Sequence, residues 1–227
     1  QPGVRVGALP QQRLHQRVVF GHDGVEHRVF SIRDHFDVEH FCQHWEMFST
    51  DDIDGQLYID WTHANSLILS EDGNFWYLMV RHFDGFLKVS RETGEVEWVL
   101  GGPYSSFAPT GPGTELSHPH FSTIQDGSAL IFDNGSHYGP PTSRLVQLDF
   151  NEDTGEVSRI RDIRAPDGIF VDQLGDAIWT PEGHMMGSWT TMGLIEEYDQ
   201  DLQPYWSLAL ELGFYSGRIV WVDTLEP

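Results

Sequence analysis

Between residues 60 and 102 the apolar positions fall in short runs, each closed by an acidic or glycine-bearing turn. Residues 66–69 precede Glu71-Asp72-Gly73-Asn74, residues 75–80 precede Asp84-Gly85, residues 86–89 precede Glu92-Thr93-Gly94, and residues 95–100 follow. Runs this short predict strands rather than helices, and Asp-Gly and Thr-Gly turns join neighbouring strands antiparallel. Four strands in roughly 40 residues is the size of one β-propeller blade.

The pattern recurs. Residues 121–124, Asp126-Gly127, residues 129–134, residues 145–150, Asp153-Thr154-Gly155 and Glu156-Val157 give a second copy, and Thr-Gly-Glu-Val at 93–96 returns at 154–157. A weaker third copy takes residues 176–180, Pro181-Glu182-Gly183, then 185–189, 194–198 and 205–210, with Trp206 in the place of Trp98. The predicted fold is an all-β propeller of four-stranded antiparallel blades, near 60–102, 118–163 and 168–210, in a single domain over 1–227. About four blades are visible. Either a larger ring is only partly present, or the ring is small and closed.

The flanks are less regular. Residues 1–17 read as a loose lead-in, and 18–20 and 28–32 as two strands about His22-Asp23-Gly24. Residues 34–60 read as an irregular insertion, of a kind that covers the mouth of a propeller. Within it, residues 50–55 hold part of a calcium-loop spacing, but position twelve would be Trp61 where a bidentate glutamate is needed. An acidic surface turn is the better reading. Residues 101–116 and 136–142 are Pro/Gly/Ser-rich loops, the usual place for a site. Residues 214–222 predict a last strand.

Composition narrows the function. The net charge is −22, from 35 acidic and 13 basic residues, of which only Lys88 is a lysine. That balance argues against nucleic acid or an anionic membrane as partner, and suits a high-salt setting as a side hypothesis. No apolar run is long enough to span a bilayer. Arg5, Arg13 and Arg17 interrupt any signal-peptide pattern, although a trimmed secreted chain would read the same. The lone Cys42 forms no intramolecular disulfide and no thiolate metal cluster.

Meander geometry points to a site. The start of a blade's first strand and the end of its second share one edge, so His63, His120, Arg81, His82, Asp133 and Asn134 should face the central axis together. Two histidines, an arginine and an asparagine converging there make an anion site. His184 follows the turn at 182–183 and belongs to the opposite edge, while His35, His40 and His44 fall in the irregular stretch.

The ordered set Asp60-Trp61-Thr62-His63-Ala64-Asn65-Ser66, Arg81-His82, Thr93-Gly94-Glu95-Val96 with Trp98, Leu100-Gly101-Gly102, the His120 segment, Phe132-Asp133-Asn134-Gly135 and Ser143-Arg144 resembles the arylsulfotransferase family. Asp34-His35-Phe36 upstream and residues 215–225 at the end resemble it too. The resemblance implies a propeller that moves a sulfuryl group from a phenolic sulfate ester to a phenol through a sulfohistidine, with no nucleotide donor, cofactor or metal. It implies catalytic roles for His63, His120, Arg81 and Arg144, the last as a bidentate sulfonate clamp, and substrate-binding roles for Asn134, His82 and Asn65. His118 is an alternative to His120. An imidazole can attack sulfur and split one displacement into two, while a second His or Arg offsets charge or moves the phenol proton. Exported family members imply an extracytoplasmic location; the oligomeric state stays open.

One departure matters. The third copy has Asp176-Ala177 where the resemblance implies another axial histidine. A site lacking one histidine could bind without turnover, so a non-catalytic binding or assembly propeller is the alternative. A histidine-lined metal site ranks last.

Overall fold

The computed structural model describes residues 17–19, 29–37, 50–53, 56–59, 61–125, 127–210 and 216–222. The chain groups into two compact units, residues 1–40 and 41–227. In the first, β1 (Arg17–Val19) and β2 (Val29–Ser31) pair antiparallel, close to the strands expected at 18–20 and 28–32. A 3-10 turn over Ile32–Asp34 follows, with Ile32 buried and the exposed His35 ring stacked on Phe30 at 5.1 Å. The His22-Asp23-Gly24 turn, His40, Cys42 and His44 lie outside the described residues.

In the second unit, β3 (Thr50–Ile53) and β4 (Gln56–Ile59) form an antiparallel hairpin. The stretch expected to be irregular over 34–60 therefore ends in paired strands, because the backbone of residues 50–53 closes an antiparallel ladder on residues 56–59.

Three four-stranded antiparallel blades follow. The first is β5 (Ala64–Leu69), β6 (Phe75–Val80), β7 (Gly85–Ser90) and β8 (Val96–Gly101). A short β9 (Ala108–Pro109) then lies parallel on the outer edge of the second blade, made of β10 (Pro119–Gln125), β11 (Ser128–Asp133), β12 (Arg144–Asn151) and β13 (Glu156–Arg164). The third is β14 (Asp176–Trp179), β15 (Met185–Trp189), β16 (Leu194–Tyr198) and β17 (Pro204–Ala209). The architecture is all-β and of propeller type. Its turns are held by the side chains the sequence put there: Asp72 Oδ1 accepts from the Ser70 hydroxyl at 2.6 Å and the Asn74 N–H at 3.0 Å, and Asn151 Oδ1 accepts from the N–H groups of Asp153 and Thr154, both at 2.9 Å.

The second blade is the middle of the stack, and the period-2 alternation of its strands divides its side chains between two cores. Ala129 and Ile131 of β11, with Val146 and Leu148 of β12, pack with Met79, Phe86, Trp98 and Leu100 of the first blade. Leu130, Phe132 and Leu145 turn the other way and pack with Ala177, Met185, Trp189 and Tyr198 of the third. Each fully buried Leu, Phe or Ile in these interfaces stabilises the stack by roughly 1.5–3 kcal/mol. Trp98 is 6% exposed, whereas Trp206, its counterpart on β17, is 46% exposed. The sequence match of the two tryptophans does not extend to their packing.

The expected last strand is not formed by residues 216–222. They are bound to the third blade instead: Ser216 N–H donates to Thr190 O at 3.3 Å, the Ser216 and Ser188 hydroxyls lie 2.7 Å apart, and Ile219 N–H donates to Asp176 Oδ2 at 2.9 Å. A side-chain carboxylate takes the bond that a strand neighbour would have supplied.

Candidate functional site

The edge predicted from the meander exists. In the first blade β5 and β6 pair from Ala64 opposite Val80, and in the second β10 and β11 pair from Pro119 opposite Asp133. These pairings set the true correspondence between blades. His63 and His118 each stand just before the first paired residue, with φ of 46° and 52°, so His118 is the counterpart of His63. His120 sits farther in, where a register shift between Pro119 and Ser122 displaces the strand.

Arg81, His82 and Phe83 form a 3-10 turn directly after β6, all buried, and end at Asp84 in the left-handed region (φ 53°). The turn is pinned from outside. A Cβ at Gly102 would stand 1.7 Å from Phe83 O, so only glycine allows that approach. His82 N–H donates to Thr62 O at 3.1 Å and Arg81 N–H to His63 O at 3.4 Å, which tie the turn to the start of β5. Non-glycine residues in the left-handed region each cost about 1–3 kcal/mol, and such residues cluster at functional sites. His63, Asp84 and His118 make three on one edge.

The imidazoles run in a file. Ring centroids are 5.3 Å apart for His63 and His82, 5.5 Å for His82 and His118, and 4.2 Å for His118 and His137. Arg81 Nη1 lies 3.2 Å from His82 Nε2. Arginine can only donate, so His82 accepts at Nε2 and carries its ring proton on Nδ1. Arg81 Nη2 also reaches Asp172 O, at 3.4 Å.

His120 is 6% exposed and its Nδ1 lies 3.0 Å from Gly175 O. A carbonyl only accepts, so the proton sits on Nδ1 and the lone pair on Nε2. Burial, with the nearby Arg81 and His63 charges adding, lowers its pKa to about 4 against the pull of the Gly175 bond. Gly175 (φ 102°) stands just before β14, and Leu174 beside it shares the left-handed backbone of His63 and His118, with φ of 63°. A Cβ at Gly175 would lie 2.3 Å from two atoms of the Phe132 ring. A backbone carbonyl on the approach to the third blade thus holds the histidine of the second.

The other predicted residues are held by protein partners. Asn65 donates from Nδ2 to Pro119 O at 3.0 Å, bridging the first two blades. Asn134, fully buried, donates from Nδ2 to Val171 O at 2.7 Å and Leu174 O at 3.0 Å, and so closes the loop before the third blade. Arg144 requires correction. Its Nε donates to Asp133 Oδ2 at 2.9 Å, Nη1 to Asp162 Oδ2 at 2.8 Å and Gly113 O at 3.3 Å, and Nη2 to Tyr138 Oη at 2.8 Å and to Glu115 O. Every face of the guanidinium meets a protein acceptor, so it positions Asp133 and the 113–115 loop rather than clamping a sulfonate. Burial opposes its charge, but Asp133, Tyr138 and Asp162 outweigh that and raise its pKa. Asp133 in turn accepts from Ser117 N–H at 2.8 Å and from the Tyr138 hydroxyl at 2.8 Å. His184 lies at the opposite edge as expected, 2.7 Å from Glu197 Oε1.

Two members of the edge escaped the sequence reading. Asp84 looked only like turn punctuation in Asp84-Gly85, and His137 only like loop. The one signal available was a histidine inside each of two loops that meet the same edge.

The family model for Arylsulfotransferase (ASST) matches residues 26–210. The chain belongs to that family. A search of curated proteins gave no match. Solved structures with similar backbones include U3-55K (9% identity, TM-score 0.46, covering 67% of this chain and 41% of that one). Others are the hydrazine synthase of Kuenenia stuttgartiensis (14%, 0.44, 69% and 40%) and the virginiamycin B lyase of Staphylococcus aureus (11%, 0.43, 70% and 47%). The chain spans about two fifths of the length of the first two. Among the described residues no helix is long and apolar enough to cross a membrane.

Proposed function

We propose that this arylsulfotransferase-family chain moves a sulfuryl group from an aryl sulfate to a phenol, with His120 as the nucleophile. The observation that carries the choice of His120 is its Nδ1–H bond to Gly175 O, 3.0 Å, which fixes the tautomer and leaves the Nε2 lone pair for attack. In the first step Nε2 attacks sulfur, an N–S bond forms, and the S–O bond to the aryl group breaks with its electron pair leaving on the phenolate. In the second, the oxygen of an incoming phenol attacks sulfur, its proton passes to a neighbouring base, and the N–S bond breaks to return the lone pair to His120. Arg81 offsets charge on the sulfonate oxygens, and His63, in the file with His82, exchanges the phenol proton. Asn65 and Asn134 hold the blade edges in register. An extracytoplasmic location belongs to the same proposal and rests on the exported members of the family.

The test is intact-protein mass after incubation with p-nitrophenyl sulfate and no acceptor. The expected result is a gain of one sulfuryl group, acid-labile and absent from His120→Asn. An adduct that survives in His120→Asn but not in His63→Asn would move the nucleophile to His63. No adduct and no nitrophenol release from a folded chain would leave a propeller that binds without turnover.

A further inference from the structure

At the far end of the histidine file, three side chains with metal-ligating atoms meet: Asp84 from the turn between β6 and β7, His118 from the residue before β10, and His137 from the loop between β11 and β12. One ligand atom from each lies within 4.8 Å of the other two. We propose that Asp84, His118 and His137 bind one zinc ion and leave a coordination position open to solvent or to an anionic oxygen.

Geometry supports this beyond proximity. His137 Nδ1 and Asp84 Oδ2 are 3.6 Å apart, longer than a hydrogen bond. Two ligands on a tetrahedral zinc with bonds of about 2.0–2.1 Å stand roughly 3.3 Å apart, so a small closure about an ion brings both into range. Asp84 divides its two oxygens: Oδ1 accepts the His118 N–H at 2.7 Å, which leaves Oδ2 directed to the shared point with His137. Two imidazoles and a carboxylate plus one open position is the donor set of catalytic zinc sites. Ferrous iron uses a similar set, but zinc binds such ligands more tightly along the usual divalent order.

The supports are those an ion site needs. His137 N–H donates to Ser117 Oγ at 2.7 Å, and Ser117 N–H to the buried Asp133 at 2.8 Å, so the Arg144 network braces the loop that carries His137. Asp84 and His118 are both held in the left-handed region, which fixes the direction in which each side chain leaves its turn. The site is reachable. The His137 and Asp84 side chains are 25% and 20% exposed, and Asp84 also lines a cleft of about 380 Å³ with Gly102, Pro103, Ser105 and Leu116. The net charge of −22 draws cations to the surface.

This site stands whether or not His120 is a nucleophile, since binding is measured without substrate. The full chain is stripped with chelator, dialysed, and titrated with zinc chloride, with bound metal counted by mass spectrometry. Cobalt(II) then serves as the spectroscopic probe of coordination. The expected result is one zinc per chain and a visible cobalt band of a four- or five-coordinate site. Affinity should fall in His137→Ala and in Asp84→Asn by at least the roughly 10–100-fold that loss of even an outer-shell partner causes. His184→Gln, which removes the other histidine–carboxylate pair on the described surface, should bind as the parent does. Circular dichroism confirms that each variant folds, and His137 is exposed enough for its truncation to be tolerated. No stoichiometric zinc, or affinity unchanged in both His137→Ala and Asp84→Asn, would overturn the proposal.

Discussion

Arg81 and Arg144 begin alike. Each stands at the same strand-end edge of its blade, each is 3% exposed, and each was expected to have a catalytic role. Their neighbours separate them. Arg144 lies between two carboxylates, a tyrosine hydroxyl and two carbonyls. Arg81 has an imidazole nitrogen at 3.2 Å and a carbonyl at 3.4 Å, and its charge also acts on the nearby Asp84 carboxylate. A guanidinium whose every N–H meets a protein acceptor is a brace, while Arg81 stands beside the histidine file to which the transfer site is assigned in the proposal. Position on the edge is the same; the hydrogen-bond partners of each guanidinium differ.

The largest expected effect comes from breaking the brace. Arg144→Ala leaves Asp133 buried without its counterion, which costs about 3–5 kcal/mol of stability when one partner of a buried pair is removed. Arg144→Lys keeps the charge but not the planar fork, and should fall between parent and Ala. Urea denaturation reads both. An Arg144→Ala protein of parental stability with only a raised KM for aryl sulfate would reverse the comparison.

Arg81→Ala should do the opposite. It removes a charge from the proposed transfer site and is expected to lower the rate of sulfuryl transfer about 10²–10³-fold, the usual effect of losing one preorganised donor. The denaturation midpoint should move far less than in Arg144→Ala. Equal losses of stability in the two variants would make Arg81 a second brace.

The third blade supplies the next test, because its 3-10 turn, Thr190–Met192, carries neither the arginine nor the histidine of the first blade's Arg81–Phe83 turn. Gly175→Ala adds a Cβ 2.3 Å from the Phe132 ring at a φ of 102°. Overpacking and backbone strain together predict a loss of roughly 2–4 kcal/mol. Gly94→Ala has a φ of 78° but no atom within 4 Å of the new Cβ, so it isolates the strain, at about 1 kcal/mol. Were the two alike, the space before β14 would accept a Cβ and the Phe132 contact would carry no cost of its own.

These contrasts show where the sequence was informative. Turn chemistry at Asp72-Gly73-Asn74, Thr93-Gly94 and Asp153-Thr154-Gly155 is local, and it located the strand breaks closely. The meander rule then brought His63, Arg81 and His82 to one edge, since it needs only strand order. The match of His63 to His120 failed because β5 and β10 both carry a register shift near their starts, so the ladder begins earlier than the apolar run suggests, and bulges leave no reliable trace in a lone sequence. The fate of Arg144 depended on Asp162, eighteen residues away, and on Tyr138 in an irregular loop. Asp84 and His137 were invisible for the same reason: each sits in a loop, and only the packing of two blades brings the loops together.

The smallest effect sharpens the scale at its weak end. Lys88, the chain's one lysine, joins the first two blades away from the axis. Its Nζ is 2.8 Å from both carboxylate oxygens of Glu152 and 4.3 Å from the centre of the Phe75 ring. The Lys88 side chain is 12% exposed, but Glu152 is 45% exposed, so water screens the pair. Glu152→Gln should therefore cost only a few tenths of a kcal/mol, towards the low end of the roughly 0.2–1 kcal/mol measured for exposed pairs, and less in high salt. Lys88→Met keeps the aliphatic stem on the aromatics and loses the cation–π contact as well, for about 1 kcal/mol in total. A double-mutant cycle between the two separates the ion pair from the ring contact. If the coupling approached the cost of Arg144→Ala, burial would not be what separates a brace from a surface pair; the argument from hydrogen-bond partners would then have to extend to the outer edges of the blades.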